Sequence, residues 1–312
     1  MAQQDVAESS VETAPGGSPV SRRSPRARAR NRSGGLFTLA LVAPALIYFA
    51  VWVFLPVAYG LYLSMTDANL LAPPKFVGAA NYQTLLHSGD WWGTFGRTLF
   101  YTVQVVVPTL LLSFLLARVV MRCRRWRPLL MTIYFLPYVV PTVVSALIFS
   151  LLFQRYGLIN SVLHTKLAWL ADSHVALYAV SITTIWSMVG YYVIILMAGF
   201  QQIPGETVEA AVLDGASTLQ MIRYVELPAL KPVLIFCTIS STAAAMTNFG
   251  TPYVMTNGGP NNSTLTVPLE IYNEAFKFSS AGVAEAEAMI LLLIAMVLAV
   301  MQVRLLFRGE AA

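Results

Sequence analysis

Residues 205–228 read GETVEAAVLDGASTLQMIRYVELP. From Glu206 to Pro228 this is the one long polar interruption between apolar segments that does not read as a plain loop. It carries four acids (Glu206, Glu209, Asp214, Glu226), one base (Arg223) and a cluster of small residues at Ala210, Ala211, Gly215 and Ala216. Pro204 and Gly205 precede it, and Pro228 and Pro232 close it. The pattern predicts a short helix at about 206–217, bounded by breakers. Its flat face of small residues would admit another protein's surface closely.

The flanks of this stretch are apolar. The chain has 312 residues, 57% of them hydrophobic and 11% charged, with a mean hydropathy of +0.65. Soluble domains carry about 25% charged residues, so the composition is that of an integral membrane protein. A spanning helix needs about 20 mostly apolar residues. Six segments qualify: 36–64, about 95–120, 128–153, about 175–200, about 230–255 and about 282–307. The last is the weakest, because Glu285 and Glu287 shorten its charge-free part. Residues 1–35 are rich in Ser, Pro, Gly and Arg, and read as a disordered cytoplasmic tail.

Lys and Arg set the orientation. With the N-terminus inside, the cytoplasmic flanks hold Arg22, Arg23, Arg26, Arg28, Arg30, Arg32, Arg118, Arg122, Arg124, Arg125, Arg127, Arg223, Lys231, Arg304 and Arg308, fifteen of the twenty basic residues. Lys75, Arg97, Arg155, Lys166 and Lys277 fall outside. Both termini are therefore expected in the cytoplasm. The net charge of +5 then reflects topology rather than a nucleic-acid partner. Trp91, Trp92, Tyr156 and Trp169 suit the outer headgroup level. His87, His164 and His174 have no metal-binding spacing. Cys123 and Cys237 imply no disulfide framework.

No Lys follows a Gly, so no GxxxxGK[ST] loop is present, and neither HExxH nor GxSxG occurs. The first five apolar segments hold no charge at depth. Glu285 and Glu287 lie about 200° apart around a helix, and at least one is expected to reach outer water. This scarcity weighs against an ion-coupled carrier and suggests that energy comes from another polypeptide. The segments do carry uncharged polar residues at helical spacing: Tyr138, Thr142 and Ser145; Thr184, Ser187 and Tyr191; Ser241 and Asn248. Such stripes serve helix packing, or they line a cavity for an uncharged, hydroxyl-rich solute, with Tyr138, Tyr191 and Trp186 as flat surfaces.

Glu209-Ala210-Ala211, Gly215 and Val225-Glu226-Leu227-Pro228 resemble the EAA motif of ABC importer permeases: EAA, three residues, Gly, nine residues, Ile-x-Leu-Pro. Val225 is the one departure. FVGAANYQTLL at 76–86 and YVMTNGGPNNST at 253–264 resemble the carbohydrate-uptake branch, and in particular the F-type half of the maltose permease pair. The resemblance covers residues 36–312. It implies an all-α type I ABC importer fold with six transmembrane helices, in a bacterial or archaeal cytoplasmic membrane. It also implies a second permease subunit, two cytoplasmic ATPases that carry the ATP and Mg, and an extracytoplasmic solute-binding protein. This chain would bind no cofactor or metal and would not be an enzyme. Glu209, Ala210, Ala211, Asp214 and Gly215 would couple to an ATPase. Tyr138, Thr142, Thr184, Ser187, Met188, Tyr191, Ser241 and Asn248 would bind the sugar. Two departures stand out. Gly250 follows Asn248-Phe249 where the family often has Asp, and Glu285 and Glu287 replace small or apolar residues. They leave a polyol, an amino sugar or a glycerophosphodiester open as the cargo.

Overall fold

A computed structural model describes residues 41–69, 73–123 and 125–307. The expected tail at 1–35 lies outside these. The chain divides into two units, Met1–Val57 and Ala58–Ala312. Helix α1 (Leu41–Leu63) is apolar throughout. In the first unit its large side chains are exposed, Trp52 and Phe54 among them, as expected of a segment solvated by lipid.

The second unit is helical among its described residues, with one isolated bridge between Thr66 and Phe76. Its elements are α2 (Ala80–His87), α3 (Gly89–Arg122), α4 (Arg127–Val139), α5 (Thr142–Leu152), α6 (Leu158–Leu163), α7 (Ala176–Phe200), α8 (Gly205–Leu213), α9 (Thr218–Met246), α10 (Gly250–Thr256), α11 (Val267–Tyr272) and α12 (Ala281–Phe307). Helices α1, α3, α7, α9 and α12 are each long and apolar enough to cross a membrane. The pair α4 and α5 is apolar enough together, but is bent by 95°.

That bend has a local cause. A proline disfavours helical geometry in the residue before it. Val140 precedes Pro141 and is extended, at φ −70° and ψ 129°. The third apolar segment is therefore two helices rather than one rod. The fifth is also interrupted, and ends at Met246 rather than near 255. Pro252 offers no N–H to the carbonyl of Asn248, four residues back, and its ring would clash with that carbonyl. The chain leaves helical geometry at Thr247 and resumes at Gly250. The Thr251 N–H donates to Asn248 Oδ1 at 3.3 Å, which gives one of the first N–H groups of α10 a partner.

Helix α7 is the central post. It packs along α3 and α4 and also meets α9 and α10. Phe114, Ala117, Val193, Leu196, Met197 and Leu230 form one buried cluster around it. Between helices in lipid there is little hydrophobic driving force, so small residues and hydroxyls carry the contacts. Ser113 Oγ donates to the Val189 carbonyl at 2.9 Å, and Ser181 Oγ donates to Gln104 Oε1 at 2.9 Å. Gly190 lets α7 reach the backbone of α4: a Cβ there would overlap the Tyr134 carbonyl. The stretches at 76–86 and 253–264 each have a structural part. Asn81 Nδ2 donates to the carbonyls of Ser64 and Thr66 at 2.9 and 2.8 Å. In the Asn-Gly-Gly-Pro stretch, Asn257, Gly258, Asn261 and Asn262 all take positive φ, which Asn and Gly tolerate best. In α12, Glu287 is fully buried and Glu285 half-buried beside Gly60.

Gly190→Val should destabilise the protein by about 1–3 kcal/mol or more through overpacking. Gly96→Ala, with open space around the new methyl, should be neutral or slightly stabilising. Thermal unfolding in detergent distinguishes the two.

Candidate functional site: a neutral cavity and an exposed polar helix

The two helix breaks lie against each other, since α5 packs on α10. Between them and α7 lies a cavity of about 560 Å³. Helix α4 contributes Tyr138 and α5 contributes Thr142. Helix α7 supplies Thr184, Ser187, Met188, Tyr191 and Tyr192. From α9 come Ser240 and Ala244, and from the break and α10 come residues 247–251. Among the described residues the lining includes no Asp, Glu, Lys or Arg. Tyr138 and Tyr191 stack with centroids 4.7 Å apart and planes 19° apart, which makes one broad aromatic surface. Tyr192 Oη and Ser240 Oγ are hydrogen-bonded at 3.1 Å.

Seven of the eight residues assigned to the solute from the sequence thus share one wall: Tyr138, Thr142, Thr184, Ser187, Met188, Tyr191 and Asn248. Ser241 does not. It is fully buried, and its hydroxyl donates to the Thr238 carbonyl at 3.1 Å. Its neighbour Ser240 lines the cavity. Pairing Ser241 with Asn248 at a spacing of seven assumed an unbroken helix, and α9 stops at Met246. The stripe through Ser145 fails likewise at Val140, leaving Ser145 buried. Trp186 packs on Phe149 at 5.1 Å and lines a separate apolar groove. Gly250 lies against Thr142, whose Cγ2 would be 3.3 Å from an added Cβ. A larger residue there would press on the cavity wall.

Sequence reasoning missed Tyr101. It is fully buried in α3, and its Oη lies 2.8 Å from both Thr184 Oγ1 and Asn248 Nδ2. The signal that could have found it is the ladder Thr94, Thr98 and Thr102, at every fourth residue, which marks the buried face of α3. A second, polar pocket of about 470 Å³ gathers Asp90, Thr94, Arg97, Glu270, Asn273 and Glu274. Burial there pushes the Glu270 carboxyl up from its usual range, against Thr94 and Arg97, which pull it down.

The polar stretch forms α8, with Pro204 before it and Asp214 at its end. Gly215 follows at φ +73°. Its N–H donates to the Val212 carbonyl at 3.0 Å, and the Ala216 N–H donates to the Ala211 carbonyl at 3.0 Å. This pair of bonds is the Schellman stop, which favours Gly at the left-handed position. Gly215 therefore has a conformational reason to be glycine, beyond its small size. Glu209, Ala210 and Asp214 are exposed and Ala211 is half-buried. Val212 and Leu213 are also exposed, at 62% and 87%, so α8 turns apolar side chains outward. The return into α9 is capped by Ser217: its N–H donates to Gln220 Oε1 at 2.7 Å, and its hydroxyl accepts from the Gln220 N–H at 3.4 Å. Glu226, in the π-turn of α9, receives Arg118 Nε at 2.8 and 3.0 Å from its two oxygens. That ion pair, largely buried, ties α9 to α3.

Removing one partner of a buried ion pair strands the other charge, at about 3–5 kcal/mol. Glu226→Gln should therefore lower the melting temperature in detergent. Arg118→Met combined with Glu226→Leu should recover most of the loss. Two independent, additive losses would mean that the pair is not coupled.

Residues 109–308 match the family described as "Binding-protein-dependent transport system inner membrane component". The multiple sugar-binding transport system permease protein MsmF of Streptococcus mutans is 34% identical over 85% of this chain and 93% of its own length. The trehalose/maltose transport system permease protein MalF of Thermococcus litoralis is 34% identical, over 75% and 81% respectively. Among solved structures, a bacterial ABC transporter involved in importing the acidic polysaccharide alginate superposes with a TM-score of 0.77 at 18% identity. That match covers 92% of this chain and all of its counterpart, and it fixes the fold. The chain belongs to the inner membrane components of binding-protein-dependent transport systems, the permease subunits of ABC importers.

Proposed function

We propose that this chain is one half of the pore of an ATP-driven importer for an uncharged sugar or oligosaccharide. The observation that carries this reading is the cavity: hydroxyl, amide and stacked tyrosine surfaces converge on it, and among the described residues its lining holds no charged side chain. A sugar offers rings to stack and hydroxyls to bond, and needs no counter-ion. The names of the relatives, multiple sugar-binding and trehalose/maltose, agree.

In this reading six segments cross the cytoplasmic membrane, with α4 and α5 as one broken span and both termini inside. The pore is completed by a second permease subunit. A solute-binding protein delivers the sugar from outside, as the family description suggests. Helix α8 docks on one of two cytoplasmic ATPases through Glu209, Ala210, Ala211 and the turn at Asp214 and Gly215. Its outward Val212 and Leu213 would be covered there. When the ATPases close on ATP, α8 moves with them. Its motion reaches α7 directly, α9 through the Ser217 turn, and α3 through Arg118 and Glu226. Rocking of these helices opens the cavity to one side and then the other. ATP and its magnesium ion belong to the partner subunits.

Two variant sets test this reading in proteoliposomes holding the whole transporter. Asn248→Ala and Tyr138→Ala should each raise the half-saturating sugar concentration or uncouple ATP hydrolysis. Unchanged kinetics in both would assign these residues to packing. At the turn, Gly215→Asn should keep most uptake, because Asn accepts left-handed geometry. Gly215→Val should lose it while the protein still inserts. Equal uptake by both would detach the turn from coupling.

A further inference from the structure

The cavity wall contains one carboxamide whose orientation is specified by its neighbours. Asn248 Nδ2 donates to Tyr101 Oη at 2.8 Å, to Thr184 Oγ1 at 3.2 Å and, more distantly, to Thr251 Oγ1 at 3.4 Å. Asn248 Oδ1 accepts from the Thr251 backbone N–H at 3.3 Å. A backbone N–H can only donate. Turning the amide over would set its NH2 group against that donor.

The hydroxyl protons follow from the same bookkeeping. Thr184 Oγ1 donates to the Val180 carbonyl at 3.1 Å. In its 2.8 Å contact with Tyr101 the proton must then come from the tyrosine. Both amide N–H groups and the protons of Tyr101 and Thr184 are thus spent inside the protein. What Asn248 retains is a carbonyl oxygen with one lone pair unused. Asn248 and Thr184 line the cavity, whereas Tyr101 lies wholly behind them.

The phenol is not needed for packing. The Tyr101 ring lies in an apolar cluster with Val105, Ala146 and Val180, where phenylalanine would fill nearly the same space. Burying a hydroxyl in such surroundings is costly unless it is bonded, and the bonds it makes run to two residues of the cavity wall. We propose that Tyr101 is a positioning residue: it holds Asn248 so that the cavity offers a hydrogen-bond acceptor there, and the site takes a hydroxyl donor from the solute. This rests on the cavity being the solute site.

The test uses the assembled transporter in proteoliposomes, with both permease subunits, the ATPases and the binding protein. The probes are maltose, trehalose and maltotriose, and analogues of each in which one hydroxyl at a time is replaced by fluorine. Fluorine keeps the shape and removes the proton. In the wild type, one fluorine position should lower kcat/KM about tenfold or more, since it leaves the Asn248 oxygen unpaired. In Tyr101→Phe, KM for the parent sugar should rise several-fold with a smaller change in kcat. The preference for hydroxyl over fluorine at that position should fall several-fold, because the carboxamide loses its shortest bond and is held less firmly, although the Thr251 N–H still opposes turning it over. Should Tyr101→Phe not assemble, 4-fluorophenylalanine at position 101 fills the volume without the proton and carries the same expectation.

A lower melting temperature with the hydroxyl preference intact would make Tyr101 merely structural and overturn the proposal. Wild-type kinetics in Asn248→Ala and Tyr138→Ala would overturn the solute-site reading itself.

Discussion

The interruption of α9 at Asn248 is the constraint on which the cavity depends. Pro252 denies a hydrogen bond to the Asn248 carbonyl, and the helix cannot run on. In an apolar setting a broken helix leaves backbone groups that must find partners within the protein or face a water-filled space. Here both solutions are present. The Asn248 side chain bonds the Thr251 N–H, and Tyr101 and Thr184 bond the Asn248 side chain. The rest of the break opens on a cavity of about 560 Å³. The second break, at Pro141, faces the first and places Thr142 against Gly250. Two prolines, one in each of two packed segments, thus make room for a polar site whose described lining is uncharged.

At the other end of the chain's working part, a different local rule sets the geometry. Gly215 ends α8 in a left-handed turn, and Ser217 starts α9 immediately after it. The short connection leaves α8 little freedom relative to α9. The forked bond from Arg118 to Glu226 extends that rigidity to α3, the helix that carries Tyr101. A displacement imposed on α8 therefore has short routes to α9 through the Ser217 turn and to α3 through Arg118 and Glu226. In the proposed transport cycle these routes carry the force.

Much of this was legible in the sequence, because the relevant signals are periodic or local. Hydropathy located the apolar segments, and breakers located α8 within a few residues. Hydroxyl spacing put Thr184, Ser187 and Tyr191 on one face, and all three line the cavity, since α7 is one regular helix from Ala176 to Phe200. The same spacing put Ser241 on a face with Asn248, and Ser241 lies buried off the cavity, because phase is lost wherever a helix is interrupted. Pro252 was in plain view, but its effect on a carbonyl four residues earlier decides which face Asn248 shares. Tyr101 was invisible for another reason. Its role is a contact between residues 83 and 147 positions apart, and no local pattern encodes such a pairing. For Gly215, small size suggested a contact surface, whereas its positive φ supplies a conformational reason as well.

The most direct measurement is a structure of the assembled transporter, reconstituted in nanodiscs and trapped with a neutral oligosaccharide in the pore. Sugar density should lie between the Tyr138 and Tyr191 rings and Asn248, with a sugar hydroxyl within hydrogen-bonding distance of Asn248 Oδ1. Density placed wholly on the partner subunit, or these side chains occupied by contacts to that subunit with no sugar among them, would contradict the assignment of this cavity as the solute site.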